Sequence, residues 1–452
     1  MMRLATSICA LTVGAACVLG SCSAIFFQNG VPLAMSGKSA HKTGVLTVFL
    51  TGNELGELQP CGCSGGQLGG LGRRSTVLNS VPASKRLIID TGSFVEGDSE
   101  QDLIKFNIII QAFNLLDYDL VNLNKKDAEI AEGLGLLDSI GSVFNVISFQ
   151  SGAEAGIPTK FTKQLSLKER NVTVTVAAFD AESAPIAQVR KLFASPSNLQ
   201  TVNILILSRC NTAIIGSIAK VETVDCLVCP AESDEPEIIS DPNQRPLVIS
   251  VGRYGKYVGK LEVSFTETSH RKFSFSAIPV TEDLLQESSL VELYRTYQQL
   301  VKVENLLEKQ PRFALPNGLE FVGSKSCKLC HEYEYEKWSS KAHAHAYTTL
   351  ERVGSQYDPE CVVCHVVGME YESGFGSEDK TAHLKNVGCE NCHGPGSEHI
   401  RTLGEAKTSE PKSDCTDCHT VENSPNYERN EQLYFEKIIH WREPNAASNV
   451  KK

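Results

Sequence analysis

Cys389-Glu390-Asn391-Cys392-His393 is one of four occurrences of the pattern Cys-x-x-Cys-His in the last quarter of the chain. The others end in Cys327, Cys330 and His331, in Cys361, Cys364 and His365, and in Cys415, Cys418 and His419. Five contiguous residues of this kind satisfy one specific chemistry. The thiols form thioethers to the vinyl groups of a haem, and the adjacent imidazole ligates its iron from the proximal side. The competing chemistry is structural zinc, because four Cys-x-x-Cys pairs can build two four-thiolate sites. Zinc gives no reason for a histidine directly after every pair. With 11 histidines in 452 residues, four such placements by chance come to roughly one in a few million. The chain also carries its own control: Cys226-Leu227-Val228-Cys229 is followed by Pro230 and is not a haem site. The expectation is four covalently bound c-type haems.

Around these motifs, residues 320–452 form the predicted haem domain, and so many porphyrins in so short a segment must supply much of its buried apolar area. The stretches Phe321-Val322-Gly323, Trp338 with His343-Ala344-His345, Asp358-Pro359-Glu360-Cys361, Phe375, the run from Asn386 through His393 to His399, and Ser424-Pro425-Asn426-Tyr427 closely resemble the cytochrome c-554 family. In that family most haems carry a second histidine. The resemblance implies His343, His399 and His440 as distal ligands, and His345 and His383 are further candidates. Residues 332–352 read as one helix, on which His343 and His345 lie about 200 degrees apart, so they can serve two haems but not one. If only three of the five ligate, one haem is left open to a small molecule.

The length predicts two or three domains. A hydrophobic fraction of 41% and a charged fraction of 21% are ordinary for soluble globular protein. The formal net charge of -11 argues against nucleic acid and against an anionic membrane surface as partners, and suits docking of a basic redox protein. Sixteen cysteines exceed what an ordinary reduced cytosolic protein carries, which places the mature chain outside the cytoplasmic membrane.

Residues 1–22 combine an early Arg3 with an apolar run broken by small residues, and end Leu19-Gly20-Ser21-Cys22. This is an export signal and not a membrane span. Its end resembles a bacterial lipobox, which implies lipidation of Cys22, a tether over 23–43 and sorting toward the outer membrane; ordinary cleavage near Ala24 is the alternative.

From 44 to 283, short apolar runs (45–50, 87–89, 120–123, 172–178, 204–207, 247–251) alternate with segments of helical period such as 102–116. The pattern predicts an α/β layered fold with buried strands. Thr51-Gly52-Asn53-Glu54-Leu55-Gly56, then Asp90-Thr91-Gly92-Ser93, then Tyr118-Asp119 and Asp127, then Gly252-Arg253-Tyr254-Gly255 resemble the 5′-nucleotidase type of calcineurin-like metallophosphoesterase. At the positions where that family binds two metals, this chain has Asn53, Leu55, Ser93, Lys125, Lys126, Arg209, Ala231 and Ser233, and residues 43–269 contain no histidine. A dinuclear centre needs anionic and imidazole ligands, and cationic side chains repel its ions. The expectation is a non-catalytic descendant. Residues 284–309 read as one amphipathic helix, and the proline-rich stretch from Gln310 to Gly318 places the domain boundary within 284–319.

Five cysteines remain after the signal, the anchor and the haem motifs: Cys61, Cys63, Cys210, Cys226 and Cys229. The phosphoesterase resemblance gathers them on one edge, as a structural zinc site or as one or two disulfides. The alternative is two unrelated disulfides and one free buried cysteine.

Three functions follow as expectations. The first is a lipid-anchored electron carrier with the α/β domain as scaffold or docking module. The second is an oxidoreductase acting on a small nitrogen or sulfur compound at an open haem. A phosphatase with a cytochrome tail is disfavoured by the missing ligands.

Overall fold

The computed structural model describes residues 42–60, 65–149, 156–167, 170–181, 186–193, 200–266, 271–410 and 415–441. Cys22, Cys61 and Cys63 lie outside the described residues.

Eleven described strands form two sheets. They are β1 (Lys42–Thr51), β2 (Arg86–Asp90), β3 (Leu120–Leu123), β4 (Asn145–Ser148), β5 (Lys160–Leu167), β6 (Arg170–Phe179), β7 (Thr201–Leu207), β8 (Cys226–Cys229), β9 (Leu247–Ser250), β10 (Tyr257–Thr266) and β11 (Arg271–Pro279). The first sheet has the order β11-β10-β1-β2-β3-β4, parallel from β1 to β4 with an antiparallel hairpin at one edge. The second runs β5-β6-β7-β8-β9 and is parallel from β6 onward. Each predicted apolar run is a strand, and the period of two sorts its side chains between layers. Leu46, Val48 and Leu50 of β1 pack with Val174, Val176 and Ile206 of the second sheet in a shared core. Phe49 and Ile88 point the other way, into a helical layer.

The helices in this part are α1 (Leu71–Leu78), α2 (Glu100–Leu115), α3 (Lys125–Gly133), α4 (Leu137–Val143), α5 (Val189–Leu192) and α6 (Thr212–Ile218). α2 starts where Ser99 and Asp102 form a reciprocal capping box, and it buries Phe106, Ile109, Ala112 and Phe113 against the first sheet. The expected helix at 284–309 is two helices, α7 (Ser288–Val303) and α8 (Leu306–Lys309), because Asn305 adopts a left-handed conformation with φ 54. The apolar spacing was nonetheless informative: Leu290, Leu293, Tyr297 and Val301 of α7 are buried beside α2.

The C-terminal segment is helical in short pieces: α9 (Ser324–Cys327), α10 (Glu332–Ser339), α11 (Ala346–Val353), α12 (Pro359–Val362), α13 (Glu378–Thr381), α14 (Cys389–His393), α15 (Ser397–Arg401) and α16 (Glu431–Ile438). The single helix expected over 332–352 is broken, with a 3₁₀ turn at Ala342–His345 between α10 and α11. Tertiary partners take the backbone there. Val387 N–H donates to the His343 carbonyl at 3.1 Å, and the Trp338 indole N–H donates to the Val387 carbonyl at 3.0 Å. On a 3₁₀ turn His343 and His345 are about 240 degrees apart, so they still face different ways. Residues 42–441 pack as one compact unit, so the linker marks a change of architecture and not a separable joint.

Candidate functional site

A Cys-x-x-Cys-His segment coiled into one helical turn sets both sulfurs and the imidazole on a common side. His331 N–H returns to the Cys327 carbonyl at 2.9 Å, and His419 N–H to the Cys415 carbonyl at 2.9 Å. The third motif forms α14 outright. Its intervening residues hold the turn in place. Asn391 accepts from Gly388 N–H at 2.7 Å and donates to the Val366 carbonyl at 2.8 Å. The buried Glu390 carboxylate accepts from the N–H groups of Val322 (3.0 Å), Gly323 (2.7 Å) and Gly396 (2.8 Å). Nothing in the motif's spacing marks Glu390, since it stands at a position the pattern leaves free.

Three histidine pairs are brought together, with ring planes 26 degrees apart in the first, 35 in the second and 86 in the third. Ring centroids are 6.0 Å apart for His331 and His399, 6.3 Å for His419 and His343, and 6.2 Å for His393 and His440. Each pair joins a motif histidine to one of the three distal ligands that the cytochrome resemblance implied. Two metal–imidazole bonds of about 2 Å each put the facing nitrogens about 4 Å apart and the ring centroids about 6 Å apart. The pairs therefore fit an iron between them.

The ring tautomers fit as well. Nδ1 lies 2.6 Å from the Ala346 carbonyl oxygen in His365, 2.7 Å from that of Ala406 in His399, and 2.9 Å from that of Ile438 in His440. In His419 it lies 2.8 Å from the Ser424 hydroxyl. A ring held at Nδ1 presents Nε2 to a metal. Burial holds His343, His365, His393 and His419 below the usual imidazole range and so favours the neutral, ligating form. Leu329 is 91% exposed and Leu403 92% exposed, one inside the first motif and one near His399, an apolar rim suited to a porphyrin edge. His345 and His383 are exposed, and among the described residues neither ring meets a motif histidine.

The four motifs are arranged in twos. Cys389 N–H donates to the hydroxyl of Ser324, on the helix that carries Cys327, at 3.1 Å, and His393 lies within electrostatic reach of His331, which sets the first and third sites together. His343 faces His419 and also feels His365, which sets the fourth beside the second. The small apolar core of this segment, including Tyr347, Val362, Val366, Val367 and Phe375, surrounds the second motif.

At the strand ends of the first sheet, where the phosphoesterase resemblance puts metal ligands, charged side chains satisfy one another. Arg74 makes a bidentate pair with Glu54 at 2.6 and 2.7 Å, both buried, and also donates to the Tyr118 hydroxyl at 3.2 Å. Thr51 donates to Asp90 at 2.7 Å and Ser93 accepts from Asn124 at 3.0 Å. Asn53, Leu55 and Ser93 all have positive φ.

Of the five cysteines outside the haem motifs, Cys61 and Cys63 lie outside the described residues, and a disulfide, one of the two forms expected, is present among the other three. Cys210 and Cys229 are joined in a disulfide. Cys226 belongs to the core between the sheets while Cys229 belongs to the outer layer, because residues three apart on a strand face opposite ways. Two of the thiolates a zinc site needs are thereby used, and a third is turned away.

Residues 326–394 match the family described as cytochrome c554 and c-prime. Cytochrome c-554 of Nitrosomonas europaea is 35% identical over 91 residues, covering 17% of this chain and 39% of that protein. The segment around the first three motifs is thus similar to cytochrome c-554, and the chain spans well under half the length of that relative. Among solved structures, the chain is similar to a 5′-nucleotidase precursor from Thermus thermophilus (17% identity, 62% of this chain, 63% of that one, TM-score 0.44). It is also similar to a putative 5′-nucleotidase from Staphylococcus aureus (13% identity, 76% and 70%, TM-score 0.42).

Proposed function

We propose that this chain is an exported, lipid-anchored tetrahaem c-type cytochrome that passes electrons between redox partner proteins, with its α/β domain as a non-catalytic scaffold. The observation that carries the reading is the set of three histidine pairs with centroids 6.0 to 6.3 Å apart. Bound haem supplies a one-electron iron couple. The protein's own contribution is to hold the imidazoles of His365, His399, His419 and His440 through Nδ1 and to keep the paired sites adjacent. An iron held from both sides offers no position to a substrate, which suits a carrier. The anchor rests on Leu19-Gly20-Ser21-Cys22, and the net charge of -11 suits a basic partner and not nucleic acid.

The second reading is an oxidoreductase working on a small nitrogen or sulfur compound at an open haem. The exposure of His345 and His383, neither of which has a ring contact with a motif histidine among the described residues, favours it. A high-spin ferric band that shifts on adding nitric oxide or cyanide selects the enzyme, and its absence selects the carrier. Pyridine haemochrome with intact mass should show four haem additions on the mature chain, and three or fewer in fully loaded protein overturns the tetrahaem assignment. Replacing Cys22 with Ser should release the protein from membranes with haem content unchanged; continued membrane attachment removes the lipid anchor from the proposal.

A further inference from the structure

The helices α2 and α7 meet the haem segment through a cluster of buried polar side chains at the turn that carries Cys361. Asp358 is the N-cap of α12, accepting from Glu360 N–H at 3.0 Å. Its carboxylate is held from the other side by two helices of the preceding part of the chain. Gln101 of α2 donates to one oxygen at 2.8 Å, and the Tyr297 hydroxyl of α7 donates to the other at 2.8 Å. One helical turn along α2, on the same face, Lys105 is 6% exposed and donates to both Glu360 oxygens, at 2.7 and 2.5 Å. Gln298 of α7 adds bonds to the Val353 carbonyl (2.8 Å) and the Ser355 hydroxyl (3.1 Å).

Lys105 crosses the loop that the phosphoesterase resemblance assigns to metal binding. A Cβ on Gly56, which has φ 84, would lie 3.2 Å from Lys105 Cδ, so that glycine both permits the turn and leaves room for the lysine. Glu57 and Asp102 act electrostatically on the pair in addition to Asp358. A buried lysine thus meets a predominantly acidic group next to Cys361.

We propose that Lys105, with Gln101 and Tyr297, is a positioning residue for the second motif: the former metal edge of the α/β domain grips the turn bearing Cys361 and sets the electrostatic environment of the haem attached there. This gives the scaffold a specific task. A positive charge near an iron centre favours its reduced state, so removing Lys105 leaves Asp358 and Glu360 unopposed and favours the oxidised state.

The proposal rests on the tetrahaem reading, and the test separates the two. Full-length protein and its Lys105→Met and Lys105→Arg variants are titrated spectroelectrochemically, with haem counted by mass. In Lys105→Met, one midpoint should move negative, changing its oxidised-to-reduced ratio at fixed potential about tenfold, equivalent to about 59 mV for one electron. Lys105→Arg should restore it, and four haems should be counted throughout. Four haems with no midpoint moved, or with all moved alike, overturns the positioning role and leaves the carrier reading standing. Peptide mapping of the unmodified chain that finds Cys361 and Cys364 free of haem overturns both. If Lys105→Met does not accumulate, Glu360→Gln is read instead; one midpoint should move positive, and no movement overturns the proposal.

Discussion

The imidazoles of His331 and His399 face one another with planes 26 degrees apart and centroids 6.0 Å apart. His331 closes the first motif, while His399 sits on α15 beyond the Gly394-Pro395-Gly396 turn of the third. Glu390 links the two regions by accepting from Gly323 N–H at 2.7 Å and from Gly396 N–H at 2.8 Å. The histidine proposed as distal ligand of one site is therefore delivered by the segment that builds another. Replacing His399 with Ala should convert one low-spin haem to a high-spin form that binds cyanide, with the haem count unchanged. A spectrum identical to the parent protein's would show that His399 is not a ligand.

In the α/β domain, the buried pair of Arg74 and Glu54 stands where the family resemblance predicts metal. Removing one partner of a buried ion pair costs about 3–5 kcal/mol, whereas replacing both with neutral groups of similar size costs far less. Arg74→Met should therefore lower the unfolding temperature markedly, and adding Glu54→Gln should recover most of the loss. Equal destabilisation in the single and double variants would mean that the charges do not act as a pair.

Much of this was legible in the chain. The haem motifs need no tertiary information, because one helical turn carries the whole attachment unit. The strands at 87–89 and 204–207 were legible because strands covered on both faces have no polar residues to interrupt them. His345 shows the limit. It lies two residues from His343 in a segment of helical composition, and only the clamp from Val387 and Trp338 decides that the segment breaks there and leaves His345 exposed. Lys105 and Gln101 carried no signal, since a lysine on an amphipathic helix usually reads as solvated surface, and the spacing that put Tyr297 on a buried face gave no partner for its hydroxyl. The stacking of two sheets was equally invisible, because a buried apolar strand does not say which layer covers it.

Asp90 makes the domain's stability depend on pH. It ends β2, accepting from Gly92 N–H at 2.8 Å and from the Thr51 hydroxyl at 2.7 Å. Burial, then the neighbouring Glu54 charge, pushes its carboxyl up to about 8. The unfolded value is about 3.9, so between these limits the folded chain holds a proton that the unfolded chain has released. The stabilisation is complete below about pH 4 and is lost as pH rises through 8. Asp90→Asn mimics the neutral carboxyl and should flatten the profile. Thermal melts from pH 5 to 9 should show the parent losing stability toward the alkaline end relative to the variant; parallel profiles would overturn the assignment.

The disulfide between Cys210 and Cys229 closes a loop with a sequence separation of 19. In the chain-entropy account, a cross-link over a loop of this length stabilises by about 3 kcal/mol. Cys226, fully buried on the opposite face of β8, has its thiol pushed well above the ordinary range by burial. Such a thiol is a poor nucleophile. In folded protein Cys226 should resist iodoacetamide and react only after denaturation. The peptides carrying Cys210 and Cys229 should stay joined until reduced. Replacing both with Ser should cost about 3 kcal/mol without changing the haem count. A bond from Cys226 to Cys210 would require β8 to turn its core face outward, exchanging Cys226 and Val228 for Leu227 and Cys229 in the layer between the sheets. Finding that bond by mass spectrometry would overturn both the strand register and the separation of the cysteines into two layers.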